Sequence, residues 1–389
     1  MVVANFFKKN WLAIVTMIVT VGILIYFLIS TNGISAFMNI AGDLKAQWII
    51  AIFIAIIGMW ALEGACLHMI TLKIYKNWPL RYSLMIGMIG LLYGALTPFS
   101  SGGQAMQIYY MKKLGMDIGK SGAIIAVKTL VYQVVGVAFA MIMVFSNLSY
   151  FNSEVSNFAY ITIIGLSANF LFVSGVLFFS FCPKATNKII RFIVFILHKM
   201  KICKNPEEQY NKWTSGFAVF YESTKLMGRS FSVYIYTILI TVVQLLCTFL
   251  IPYFVYRSFG LQGASPLPMI AAMAFTNMVS AFVPLPGASG GAELSFALYF
   301  EPFFKNNLLV PAIFVWRMCT YYFTIIVGAC CTIWGSKSRK YELVLSDVMA
   351  KQIKSDKSIQ ESFDKIAAQE SSDIEQISED LYASKSNKK

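Results

Sequence analysis

The chain has 389 residues, 57% of them apolar or aromatic and only 13% charged, against roughly half and a quarter in an ordinary soluble domain, which excludes a simple soluble protein. The net charge of +13 does not indicate nucleic acid: residues 1–334 hold 22 Lys and Arg against 9 Asp and Glu, and residues 335–389 hold ten of each. The excess therefore lies among apolar spans, where it marks loops beside an anionic leaflet, and no basic domain stands apart.

The N-terminus has the basic-then-apolar order of a signal peptide. Trp11 to Ile29 is longer than a typical leader core, however, and no small-x-small site follows it, so a retained first crossing is predicted. Full crossings are predicted at 11–29, 46–70, 120–145, 158–182, 231–256 and 308–334. Between them, segment 183–230 places Ile189, Ile190, Phe192, Phe195 and Ile196 among lysines, as in an amphipathic helix lying on the inner membrane surface. The tail, 336–389, is polar, with apolar positions at roughly helical spacing, and 1–335 reads as one membrane domain.

Two further apolar stretches run straight into helix-breaking clusters, Thr97-Pro-Phe-Ser-Ser-Gly-Gly103 and Pro284-Leu-Pro-Gly-Ala-Ser-Gly-Gly291. Pro98-x-x-Ser101-Gly102-Gly103 aligns with Pro286-x-x-Ser289-Gly290-Gly291, and 25 or 26 residues after the last Gly comes a cation inside an apolar span, Lys128 or Arg317. The match predicts an internal repeat. Charge bias then fixes orientation. Segment 183–230, with nine Lys and Arg against three Glu, belongs inside, and loop 146–157, with Glu154 as its one charge, belongs outside. Lysines on both flanks of 82–111 make that stretch enter and return from the cytoplasm, and parity makes 267–305 do so from outside. The fold expected is an all-α polytopic protein of about six crossings and two opposed re-entrant hairpins, with both termini cytoplasmic.

Ionisable groups within spans are costly and are functional candidates: Lys128, Glu293, Arg317, Glu63 and His68. The half-helices after Gly103 and Gly291 would point free N–H groups and positive dipole ends inward, which favours anions. With Lys128 and Arg317 this makes a site suited to phosphate. Ser101, Gly102, Gly103, Gln104 and Gln107 in the first cluster, and Ser289, Gly290 and Gly291 in the second, complete the candidate binding set, or do no more than satisfy a broken backbone. Glu293 either recognises a cationic group or caps its half-helix and pairs with Arg317. Lys128 either faces the site or snorkels to the surface. Glu63 and His68 are secondary candidates, read as interfacial or bonded to each other. No metal or catalytic set is expected. The lack of any GxxxxGK[ST] loop argues against ATP coupling within the chain, and no cofactor is expected.

Thr97-Pro-x-x-Ser-Gly-Gly-Gln with Met106-Gln-Ile-Tyr-Tyr-Met-Lys-Lys-Leu-Gly115, and Pro284-x-Pro-Gly-x-x-Gly-Gly-x-Glu293 with Trp316-Arg317, resemble the transmembrane family of lysylphosphatidylglycerol synthases. This is the flippase-like membrane half of the bacterial multiple peptide resistance factor, and the resemblance spans about residues 8–335. It implies a bacterial inner-membrane protein that moves aminoacylated phosphatidylglycerol, or another phospholipid, between leaflets and so contributes to resistance to cationic antimicrobial peptides. Lys128 stands where the family usually has Arg. Members that also synthesise the lipid carry a long soluble domain, which these residues do not contain, so translocation is expected rather than synthesis. The alternatives are a membrane transferase of the phosphatidylglycerol lysyltransferase type using Glu63 or Glu293, which lacks a recognisable nucleophile and base, and a scaffold for a separate lipid synthase. A second copy of the chain is a further candidate partner.

Overall fold

The computed structural model describes residues 44–154, 183–199, 231–281, 285–304 and 308–337, with isolated residues between them. Among these the structure is helical, with no strand. The crossings predicted at 11–29 and 158–182, most of 200–230 and nearly all of the tail lie outside the described residues.

Helix α1 (Ala46–Leu72) is uncharged until Glu63 and long enough, at 27 residues, to cross a bilayer. Ile52, Ile56, Glu63, Leu67 and Ile70 fall on its buried face, whereas Ile50, Ile54 and Ile57 are exposed. An outer face that is itself apolar suits lipid rather than water. The same holds for α4 (Ile118–Glu154), with Ile142 and Phe145 outward, and, after α5 (Pro183–Lys199), for α6 (Phe231–Phe249), with Ile235, Leu239 and Val243 outward.

Three boundaries differ from those expected. Helix α4 continues through a kink at Asn147 to Glu154, where a loop was predicted from 146, because nothing in that stretch except Asn147 interrupts helix. The 231–256 crossing is divided at Leu250 into α6 and α7 (Ile251–Ser258), the second carrying Pro252 in its first turn, where its missing N–H is tolerated. The 308–334 crossing is α10 (Leu309–Arg317), a π-turn over Met318–Tyr322, and α11 (Phe323–Lys337). By length and composition, Ala46–Leu72, Ile118–Asn147, Ser232–Ser258 and Leu309–Ser336 are long and apolar enough to span a membrane.

The two remaining apolar stretches are shorter helices, each packed against the helix that follows it. Helix α2 (Leu80–Leu96) turns at Pro98–Ser100 into α3 (Ser101–Lys113). Helix α8 (Pro266–Ser280) leads through a turn at Pro286–Ala288 into α9 (Gly291–Phe300). The first pair lies almost backbone to backbone: a Cβ on Gly103 would come within 2.6 Å of the Gly90 carbonyl oxygen. Aromatic stacking holds the second pair in place, Phe275 on Tyr299 at 5.5 Å and Phe296 on Trp316 of α10 at 4.7 Å.

The two helix pairs open at different ends of the bundle. Lys113, ending α3, donates to the carbonyls of Gly335 and Ser336 at the end of α11. At the other end, Phe304 after α9 meets Tyr256 of α7 at 5.7 Å, and the Lys45 N–H before α1 donates to the Ser258 carbonyl at 2.9 Å. The turns of the two pairs touch each other.

Candidate functional site

The turns share a backbone conformation. Phe99 and Ser100 have φ of 53° and 54°, and the aligned Gly287 and Ala288 have 60° and 53°. In each turn the aligned serine donates to the carbonyl of the aligned proline, Ser101 to Pro98 and Ser289 to Pro286, both at 2.9 Å. Three of these four left-handed positions are not glycine, so both turns carry backbone strain. Gly287 is required on a second ground: a Cβ there would run into the Tyr321 ring.

Beyond the serines the turns diverge. In the first, the Gly102 N–H is capped at 2.8 Å by Thr97 Oγ1, whose own hydroxyl donates to the Tyr93 carbonyl at 2.6 Å. Ser101 and Gln104 are exposed, Gly102 is half-buried and Gly103 is buried. In the second, Gly290 at φ 83° opens α9, and its N–H donates at 2.7 Å to Oε2 of Glu293.

The other oxygen of Glu293, Oε1, lies 2.8 Å from Arg317 Nε. Arg317 ends α10 and is buried, its guanidinium resting on the faces of Trp316 and Tyr321 at 4.9 and 5.3 Å while Nη1 donates to the Gly287 carbonyl at 3.2 Å. Its contact with Glu293 is short but off the N–H axis, so Nε and Nη2 remain buried without a hydrogen-bond acceptor. An unsatisfied buried donor costs about 1–3 kcal/mol. The arrangement is thus a cation neutralised in charge but not in hydrogen bonding, set at the start of a half-helix where anions are favoured. Tyr321 ties this corner to the first pair, its hydroxyl donating to the Ala95 carbonyl of α2 at 3.0 Å.

Lys128 forms a second buried group rather than snorkelling. It is 8% exposed, and its Nζ bonds Oε1 of Glu63 on α1 and lies 3.5 Å from Gln107 Oε1 on α3. Gln244 of α6 donates to the other Glu63 oxygen at 3.1 Å, and Gln107 Nε2 reaches Oε1 at 3.5 Å and the Ile86 carbonyl at 3.4 Å. Four helices converge on one carboxylate. Glu63 is therefore interior, and its partner is Lys128; His68 instead has Ser83 Oγ 3.5 Å from Nδ1.

Both candidate cations thus meet a carboxylate; Gln107 joins Lys128 directly, whereas Gly290 reaches Arg317 only through Glu293, and Gly291 packs on Val283. Gln244, Thr97 and Tyr321 were not singled out from the sequence. For Gln244 the available signal was a lone amide in a long uncharged span. Among the described residues no three His, Cys, Asp or Glu side chains converge on a metal position.

Comparison with known proteins comes to the same membrane region. The family described as "Lysylphosphatidylglycerol synthase TM region" matches residues 11–328. A "UPF0104 membrane protein" of Archaeoglobus fulgidus is 25% identical over 311 residues, covering 73% of this chain and 86% of the relative.

Proposed function

From the chain's membership of the lysylphosphatidylglycerol synthase TM region family, we propose that it moves a phospholipid between the leaflets of a bacterial plasma membrane, with the headgroup crossing at the meeting point of the two turns and the acyl chains left in the bilayer. The cargo is lysyl-phosphatidylglycerol or a related lipid with an anionic phosphate, and its export would contribute to resistance to cationic antimicrobial peptides.

The observation that carries this reading is Arg317, a buried guanidinium at the N-terminal end of α9 whose Nη2 lacks an acceptor and whose Nε meets Glu293 only off the N–H axis. A phosphate oxygen pair fits such donors, since the planar fork binds two oxygens at once. Supporting it is the pairing of α2 with α3 and of α8 with α9, which we read as opposed hairpins of an inverted repeat. They have matching turn conformations and open ends at opposite ends of the bundle, and their contact lies between those ends, as in transporters with a midplane site. Charge bias supports a cytoplasmic position for the Lys113 end and for both termini. Glu293 sits where the amine of an aminoacyl headgroup would find a carboxylate.

The test is reconstitution of the purified chain in vesicles containing fluorescent phosphatidylglycerol or its lysyl ester, with external reduction of the dye reporting leaflet exchange. Exchange well above empty vesicles, reduced at least tenfold by Arg317→Ala in protein that still folds, supports translocation. Ester formation from charged tRNA without exchange would replace it with the transferase reading.

A further inference from the structure

The two ion pairs are built differently. Arg317 keeps buried donors without acceptors and its partner Glu293 is pinned by the Gly290 N–H, so an anion can join that group with the pair intact. Lys128 instead spends its ammonium on Glu63 and Gln107, and Glu63 is held by two amides, Gln107 and Gln244, with no backbone N–H fixing it. An anion that takes the place of the carboxylate on the Lys128 ammonium displaces Glu63. The displaced carboxylate would stay in the low-dielectric interior unpaired, which is strongly unfavourable unless it is neutralised.

We propose, building on an anionic lipid headgroup as cargo, that Glu63–Lys128 is a proton-coupling site in which Glu63 takes up one proton as the lipid phosphate replaces it on Lys128. The balance closes. The resting pair is neutral, the phosphate adds one negative charge, and the proton forming an O–H bond on the Glu63 carboxyl restores neutrality. Release of phosphate to the opposite leaflet returns the proton to solvent and re-forms the pair, so phosphatidylglycerol and proton move in the same direction without net charge, while a lysyl ester adds the charge of its amines to that movement.

The surroundings fit a proton that must arrive and then be felt by the hairpin. On α6, Thr237, Thr241 and Gln244 form a buried polar row at helical spacing leading from near the N-terminal end of that helix to the carboxylate. The Thr237 hydroxyl oxygen has no hydrogen-bond partner, and the Thr241 hydroxyl donates to the Thr237 carbonyl at 2.7 Å. Gln107 touches Glu63, Lys128 and the Ile86 carbonyl of α2, so a change in the pair reaches both arms of the first hairpin. The titratable and charged groups facing Glu63 are Lys128 and Tyr132 of α4 and Cys66 of its own helix. Helix α3 presents Gln107, α6 presents Gln244, and α2 presents Gly87. Arg257 of α7 is engaged with Trp48 at the far end of α1, and Tyr322 of the π-turn lies in the field of Arg317 and Glu293.

The experiment uses the full chain in vesicles holding fluorescent phosphatidylglycerol and an internal pH dye, with the membrane potential clamped and a pH gradient imposed. One proton per lipid predicts accumulation in the leaflet on the alkaline side of up to about tenfold per pH unit, with proton flux accompanying lipid flux. Glu63→Gln alone leaves a buried cation unpaired, so the informative variant is the neutral double change Glu63→Gln with Lys128→Met. It is expected to lose the ratio between rates with and without the gradient. Wild-type exchange that ignores the gradient overturns the coupling and leaves translocation standing. A gradient response retained in the double variant overturns the assignment to this pair. Absence of any wild-type exchange removes the translocation reading and this one with it.

Discussion

Neutralising Glu293 tests the second ion pair by stability. Glu293 and Arg317 are 7% and 5% exposed and 2.8 Å apart, and removing one member of such a pair costs about 3–5 kcal/mol. In Glu293→Gln the new side chain keeps an oxygen to accept the Gly290 N–H, and Arg317 keeps the Gly287 carbonyl and the faces of Trp316 and Tyr321. The loss should then fall near the lower limit, about 3 kcal/mol. Arg317→Met leaves a carboxylate still held by an N–H at a helix start, which moderates its cost to about 2 kcal/mol. The double variant leaves no buried charge and should recover about half of the combined loss, a coupling of roughly 2–3 kcal/mol. Reversible denaturation in mild detergent, followed by Trp fluorescence for wild type, both singles and the double, reads this directly. Additivity within about 0.5 kcal/mol, or a Glu293→Gln protein as stable as wild type, would refute a buried, mutually dependent pair.

Exchanging the cations should be asymmetric in the exchange assay: Arg317→Lys loses the planar fork and at least tenfold in rate, whereas Lys128→Arg retains most of the rate; equal tolerance would indicate charge balance alone. For thermal stability, Gly103→Ala should cost about 1–3 kcal/mol because its Cβ meets the Gly90 carbonyl oxygen at 2.6 Å. Gly136→Ala in α4, where nothing lies within 4 Å of the added methyl, should gain about 0.5–1 kcal/mol. In a cysteine-free background, membrane-impermeant thiol reagents applied to whole cells should label cysteine at the exposed positions 150, 153 and 263 but not at 117, 205 or 380; labelling at 117 would overturn the orientation.

Which segments become helix was readable because apolar length and charge gaps are properties of the chain alone, as Ala46–Leu72 and Leu80–Leu96 illustrate. The alignment of Pro98 with Pro286 was likewise visible, since helix breaking is a local property of Pro and Gly. The partners of the buried charges were not. Glu63 and Lys128 are 65 residues apart and belong to helices whose facing sides depend on how α1, α3, α4 and α6 pack. Periodicity along one helix carries no information about rotation against another. Charge economy offered a partial route: a span carrying Lys128 needs an acceptor, and Glu63 was the nearest intramembrane carboxylate without an assigned cation. The kink at Asn147 and the π-turn at Met318–Tyr322 carry no Pro or Gly, so no breaker announces them.

That π-turn has a geometric consequence for the last crossing. In an uninterrupted α-helix, residues 317 and 328 would stand eleven positions apart, within about 20° of each other around the axis at 3.6 residues per turn. Arg317 is directed at the turn before α9, while Gly328 is pressed on α2, where a Cβ would lie 2.7 Å from Leu92 Cβ. One extra residue in a widened turn sets the downstream half back by about 100°. The Thr320 and Thr324 hydroxyls donate to the Trp316 and Thr320 carbonyls at 2.7 Å across it. The crossing therefore presents two azimuths, one toward each helix pair. Deleting a single residue from 318–322 would superpose them, so that whichever half of the helix kept its seat would swing the other about a quarter of a turn off its partner.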